Sequence, residues 1–139
     1  MARSISSLAV TLGLLALSWP VFSGNTQQRA ATYSSVCRHA ESGDLLGLEV
    51  SFVSDVDGGY ALVQRYEGAV TPPELMQVKR RGDDLVLASG ATDAIALHQD
   101  GKRMQVTYLD GQLSAAGTLS DTLTPSSPVW QGKNVAVCN

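Results

Sequence analysis

From residue 46 onward the chain is written largely in period-two alternation, and this restricts its fold more than any other feature. Leu46, Leu48, Val50 and Phe52 alternate with Gly47, Glu49 and Ser51. Tyr60, Leu62 and Tyr66 alternate with Ala61, Val63 and Arg65, and Met76 and Val78 flank Gln77. Leu85 to Ala88 is a short apolar run. Met104, Val106 and Tyr108 continue the pattern, as do Leu113, Ala115, Gly117 and Leu119, then Val135 and Val137. Alternation of this kind marks half-buried strands. Asp57-Gly58-Gly59, Arg81-Gly82-Asp83, Asp100-Gly101 and Asp110-Gly111 punctuate the runs. Glycine there supplies the positive φ that tight hairpins need. The expectation is an all-β domain: a small antiparallel barrel or sandwich of seven or eight strands, mostly in meander order. A short helix is expected near residues 36–41. Glu67 to Glu74 and Asp121 to Lys133, rich in proline and hydroxyl residues, read as connections.

The first 23 residues read as an address. Arg3 supplies one positive charge, Leu8 to Leu17 is an apolar run, and Trp19-Pro20 precedes Val21-Phe22-Ser23, which offers small or apolar residues at the −3 and −1 positions of a cleavage site. That three-part order is the pattern of a secretory signal peptide. Its apolar run is shorter than the ~20 residues of a membrane span, so no span is expected in the mature chain. Residues 24–35 form a polar leader, with disorder open there, and residues 36–139 form one β domain. A periplasmic or secreted location follows. Export also bears on Cys37 and Cys138, since oxidising compartments let disulfides persist and two cysteines allow one pairing. The pair is expected as a structural disulfide; a reactive thiol activated by His39 is the alternative.

Few residues offer chemistry. No Gly-x-Ser-x-Gly elbow is present, and histidine is limited to His39 and His98. An enzyme would need one of these hydrogen-bonded to a serine or carboxylate in a cleft. Asp55-Val56-Asp57-Gly58 resembles the opening of a calcium loop but lacks the later ligands. It reads better as a turn, so neither metal nor cofactor is expected. Lys79-Arg80-Arg81 meets Asp83-Asp84 across a hairpin tip, which suits charge pairing. A net charge of −3 disfavours nucleic acid as a partner and favours cationic proteins. Trp130, the one tryptophan left after cleavage, is a candidate interface anchor.

Two short motifs carry a resemblance. Leu87-Ala88-Ser89-Gly90-Ala91-Thr92 places a Ser-Gly pair between strands, and Trp130-Gln131-Gly132-Lys133 precedes the chain's end. Together with the architecture they resemble the small periplasmic lysozyme inhibitors of bacteria. That family's Ser-Gly motif carries a tyrosine shortly afterwards, where this chain has Thr92-Asp93. The resemblance implies an exported eight-stranded barrel with a disulfide, whose Ser89 and Gly90 enter a hydrolase cleft. The expected role is therefore a non-enzymatic inhibitor or immunity protein against a lysozyme-like cell-wall hydrolase, with Ser89, Gly90 and Trp130 touching the partner. The alternative is a periplasmic barrel that binds a small ligand or an envelope polymer.

Overall fold

A computed structural model describes residues 31–53, 59–110 and 122–139. The signal peptide, most of the polar leader, the Asp55–Asp57 turn and the Leu113–Leu119 run lie outside the described residues. Nine strands follow in chain order: β1 (Thr32–Ser34), β2 (Cys37–Arg38), β3 (Leu45–Phe52), β4 (Tyr60–Val70), β5 (Glu74–Arg81), β6 (Asp84–Ser89), β7 (Thr92–Asp100), β8 (Arg103–Tyr108) and β9 (Thr122–Ser126). Antiparallel pairing runs in meander order from β3 to β9, and β1 pairs with both β9 and β3. The sheet thus closes into an eight-stranded barrel, with β2 as an extra strand continuing the β1 register along β3. Closure leaves the eight strands without a free edge.

The alternation decides which side chains fill the barrel. Leu48, Val50 and Phe52 of β3 project inward and are almost fully buried. Their register against β4 pairs Val50 with Val63 and Phe52 with Ala61. Ala61, Val63 and Arg65 therefore face in, while the larger Tyr60 and Leu62 face out. Met76, Val78, Leu85, Leu87, Ile95, Leu97, Met104, Val106 and Leu123 complete the interior, and Tyr33 meets Phe52 edge-on with ring centres 6.2 Å apart. The middle of the barrel is side-chain core.

Three hairpins turn over two residues, each opening on a glycine: Gly82 (φ 61°), Gly90 (φ 58°) and Gly101 (φ 59°). A first loop residue at positive φ suits the right-handed twist of the flanking strands. Between β6 and β7 the register shifts: Leu87 pairs with Ile95 but Ala88 with Asp93, leaving Ala94 as the extra residue. Such a bulge re-aims the residues beyond it. Ala94 joins the core, and Asp93 turns outward instead of burying a carboxylate.

Several sequence expectations need correction. Thr32–Ser34 belongs to the sheet, so the domain begins before residue 36: Tyr33 enters the core while Thr32 bonds Ser51 at 2.9 Å. The helix expected over residues 36–41 is absent, because Cys37 and Arg38 pair with Leu46 and Leu45. Thr122–Ser126 is a strand despite Pro125. The β8 ladder to β9 ends at Leu123, so the proline removes no donor from it. Val135 to Val137 makes only an isolated parallel bridge from Val137 to Arg38. Residues 127–139 instead form a strap over the outer wall, held by the Cys37–Cys138 disulfide (Cα–Cα 4.9 Å).

Candidate functional site: the end of the barrel that carries Ser89 and Gly90

Meander order sorts the loops to two ends. Loops 39–44, 71–73 and 90–91, with Leu109 and Asp110, share one end; the turns at Gly82 and Gly101 share the other. The first end is acidic: Glu41, Asp44, Glu67, Glu74 and Asp110 lie there with Arg38 and Arg65, whereas at the second end Arg80, Arg81, Lys102 and Arg103 are offset by Asp83, Asp84 and Asp100.

The acidic end holds the Ser-Gly hairpin. Ser89 is exposed and its hydroxyl donates to the Glu74 carboxylate, tying the hairpin to the start of β5. Gly90 forms the apex, where even a Cβ would meet no atom within 4 Å. Beside it the barrel mouth opens as a hollow of about 290 Å³ lined by Val63, Arg65, Thr71, Pro72, Glu74, Met76 and Ile95. Thr71 Oγ1 donates to the Arg65 carbonyl (2.7 Å), and Gln64 Nε2 donates to the Thr71 carbonyl (3.2 Å). These bonds fix the β4–β5 connection. Arg65 makes a long ion pair with Glu67 at 3.5 Å.

No protein-family model matches the chain, and no curated protein or solved structure matches it either.

Trp130 sits elsewhere. It lies on the 3₁₀ turn Val129–Gln131 within the strap and is 62% exposed, so it does not plug the core. The strap crosses the wall at β3, which stands across the barrel from the β6–β7 hairpin in strand order. Ser89 and Gly90 share one hairpin, and Trp130 lies on a separate surface.

Beneath the strap lies a buried carboxylate. Glu49 is 2% exposed and accepts the Val129 N–H at 3.0 Å. Burial raises its pKa above the usual carboxylate value, against the lowering effects of the Val129 N–H, the Lys133 charge and the Ser34 hydroxyl. The neighbouring Tyr66 is pushed up to about 12, chiefly by burial and further by the Glu49 charge.

Both histidines hydrogen-bond to a serine or carboxylate at the surface. His98 Nδ1 meets Asp84 at 2.8 Å on the convex outer wall, with both side chains exposed. His39 Nδ1 receives both the Ser42 N–H and the Ser42 hydroxyl at 3.3 Å, closing the turn that precedes β3. Among the described residues no group of three or more His, Cys, Asp or Glu could hold a metal ion. No helix there is long and apolar enough to cross a membrane.

The basic run pairs across strands, but with a different acid than the hairpin suggests. Arg81 meets Asp93 at 2.6 Å and Lys79 meets it at 3.9 Å, while Asp84 goes to His98. The Lys79 and Arg81 stems cross β6 on the way, which explains why Val86 and Ala88 are buried on the outer wall. Glu74, Arg65 and Glu49 escape sequence reading. Glu49 looks like one polar position of a solvated strand face, and Arg65 becomes inward only once the β3–β4 register is known.

Proposed function

We propose that this protein is an exported, non-catalytic binding protein, and that its target is a cationic cell-wall hydrolase of the lysozyme type. One observation carries the reading: a preformed glycine apex stands at the acidic end of a rigid barrel. Glu74, Glu67 and Asp44 around that end would draw in a basic enzyme, and such steering weakens with salt. The Ser89–Glu74 bond holds the hairpin in shape before contact, which lowers the ordering cost of binding. The two-residue turn gives a narrow probe suited to a cleft. The filled interior favours this reading over a barrel that carries a ligand at its centre.

The test is lysis of bacterial cell walls by a lysozyme-type enzyme, with the oxidised domain added in increasing amounts. Activity is expected to fall towards zero near equimolar inhibitor at low salt. Ser89→Tyr enlarges the apex without touching the core, so inhibition is lost while the unfolding midpoint stays unchanged. Full lysis in the presence of excess wild-type protein, or equal inhibition by the variant, would overturn the reading.

A further inference from the structure

We infer that the barrel mouth is a binding site for a small zwitterion carrying a short apolar group, of the α-amino-acid type. Three features of the hollow argue for it. Its floor is apolar and closely packed: Val63, Met76 and Ile95 are each under 5% exposed. Its rim holds one guanidinium and one carboxylate, Arg65 and Glu74. Its volume, about 290 Å³, is at the small end for a ligand pocket.

The two charges are spaced for a ligand rather than for each other. Glu74 pairs with Val63, and Arg65 lies two residues further along β4 on the same inward face. Diagonal neighbours of this kind stand about 7–8 Å apart at the backbone, within reach of long side chains. Arg65 nevertheless spends its ion pair on Glu67, at 3.5 Å. A carboxylate entering the mouth would meet the guanidinium fork, which matches it in a bidentate way. The ammonium on the adjacent carbon would then face Glu74. Ser89 occupies only one of the acceptor positions on that carboxylate and so orients it without saturating it. A purely anionic ligand would face Glu74 uncompensated, and a purely cationic one would face Arg65. The zwitterion satisfies both sides, and its side chain covers the floor.

The experiment is an NMR amide-shift titration of the oxidised wild-type domain with three probes of one shape. They are leucine, 4-methylpentanoate (no amine) and 3-methylbutylamine (no carboxylate). Leucine is expected to give saturable shifts centred on Val63, Met76 and Ile95, with each single-charge analogue weaker by about tenfold, the loss of one charge-assisted hydrogen bond. Arg65→Gln should weaken leucine and strengthen the amine, which no longer faces the guanidinium. Glu74→Gln should weaken leucine and strengthen the carboxylate, which no longer faces that charge. Arg65→Lys serves if Arg65→Gln fails to fold; it keeps the charge, loses the fork and should fall between. No saturable shift with leucine, or an analogue that binds as well as leucine, would overturn the inference. Either result leaves hydrolase inhibition by the Ser89 hairpin untouched, because the two assays share no probe.

Discussion

Replacing Gly47 with alanine tests how the barrel is closed. Gly47 lies where β3 passes the link between β1 and β2, at φ 126°. A Cβ there would sit 2.8 Å from the Ser35 carbonyl oxygen and 2.9 Å from the Val36 Cα. Both are backbone atoms, so no side chain can swing aside. Comfortable carbon contacts begin near 3.5 Å, so the first strands would have to retreat by about half an ångström or more. The closing ladder is thin at that point: the Ser35 N–H donates to the Leu48 carbonyl at 2.9 Å, and the Leu48 N–H donates to Ser35 Oγ at 3.1 Å. Backbone strain costs about 1–3 kcal/mol and each weakened hydrogen bond about 1 kcal/mol. The expected loss is about 3–5 kcal/mol, a large part of the ~5–15 kcal/mol available to a domain. Gly82→Ala is the control. Gly82 also has positive φ, but a Cβ there meets nothing within 4 Å, so only strain of about 1–2 kcal/mol remains. In urea, with a slope of about 2 kcal/mol/M, Gly47→Ala should lower the midpoint by about 2 M and Gly82→Ala by less than about 1 M. Equal midpoints for the two variants would refute the close-approach argument.

Two further outcomes follow from the strap. Replacing Cys37 and Cys138 together by serine frees a crosslink spanning 101 positions; the chain-entropy cost is up to about 4.7 kcal/mol, and the urea slope should rise as the unfolded chain expands. An unchanged midpoint against the oxidised wild type would contradict this. Burial raises the Glu49 pKa in the fold, so between the unfolded value of 4.5 and the raised native value the folded state binds more protons than the unfolded one. Stability from this group is present below that window and lost as pH rises through it. Glu49→Gln keeps an acceptor for the Val129 N–H and removes the charge, so it should gain on the wild type towards neutral pH and converge with it near pH 4. Parallel pH–stability curves for the two proteins would rule out Glu49 as the source.

Local signals carried the fold a long way. Leu48, Val50 and Phe52 advertise a strand with one buried face, and Gly82 and Gly101 mark turns where the structure has them. What escaped was long-range. Nothing in Thr32-Tyr33-Ser34 shows that β3 and β9 will flank it, because three residues are too few for periodicity to register. The bulge at Ala94 was equally silent. A strict alternation would turn Asp93 inward with Ile95 and Leu97, and only the register shift puts it beside Arg81. At the candidate site, Ser89 and Gly90 were legible as a turn. Their partnership with Glu74, fifteen residues earlier, was not.

The outer wall at β3 shows why alternation can mislead about function as well as fold. Thr32, Ser34, Glu49 and Ser51 are buried although their positions read as a solvated face. A polar face costs little to bury only when its groups are paired, and here they are: Thr32 with Ser51, the Val36 N–H with Ser34, and Glu49 with the Val129 N–H. Those bonds make the wall specific for the strap, where an apolar face would accept any apolar segment. The disulfide then holds the strap at its far end through Cys138. The same wall contains the β1–β3 pairing that closes the barrel. Locking it stiffens the closed sheet that carries the Ser89–Gly90 hairpin on its opposite side.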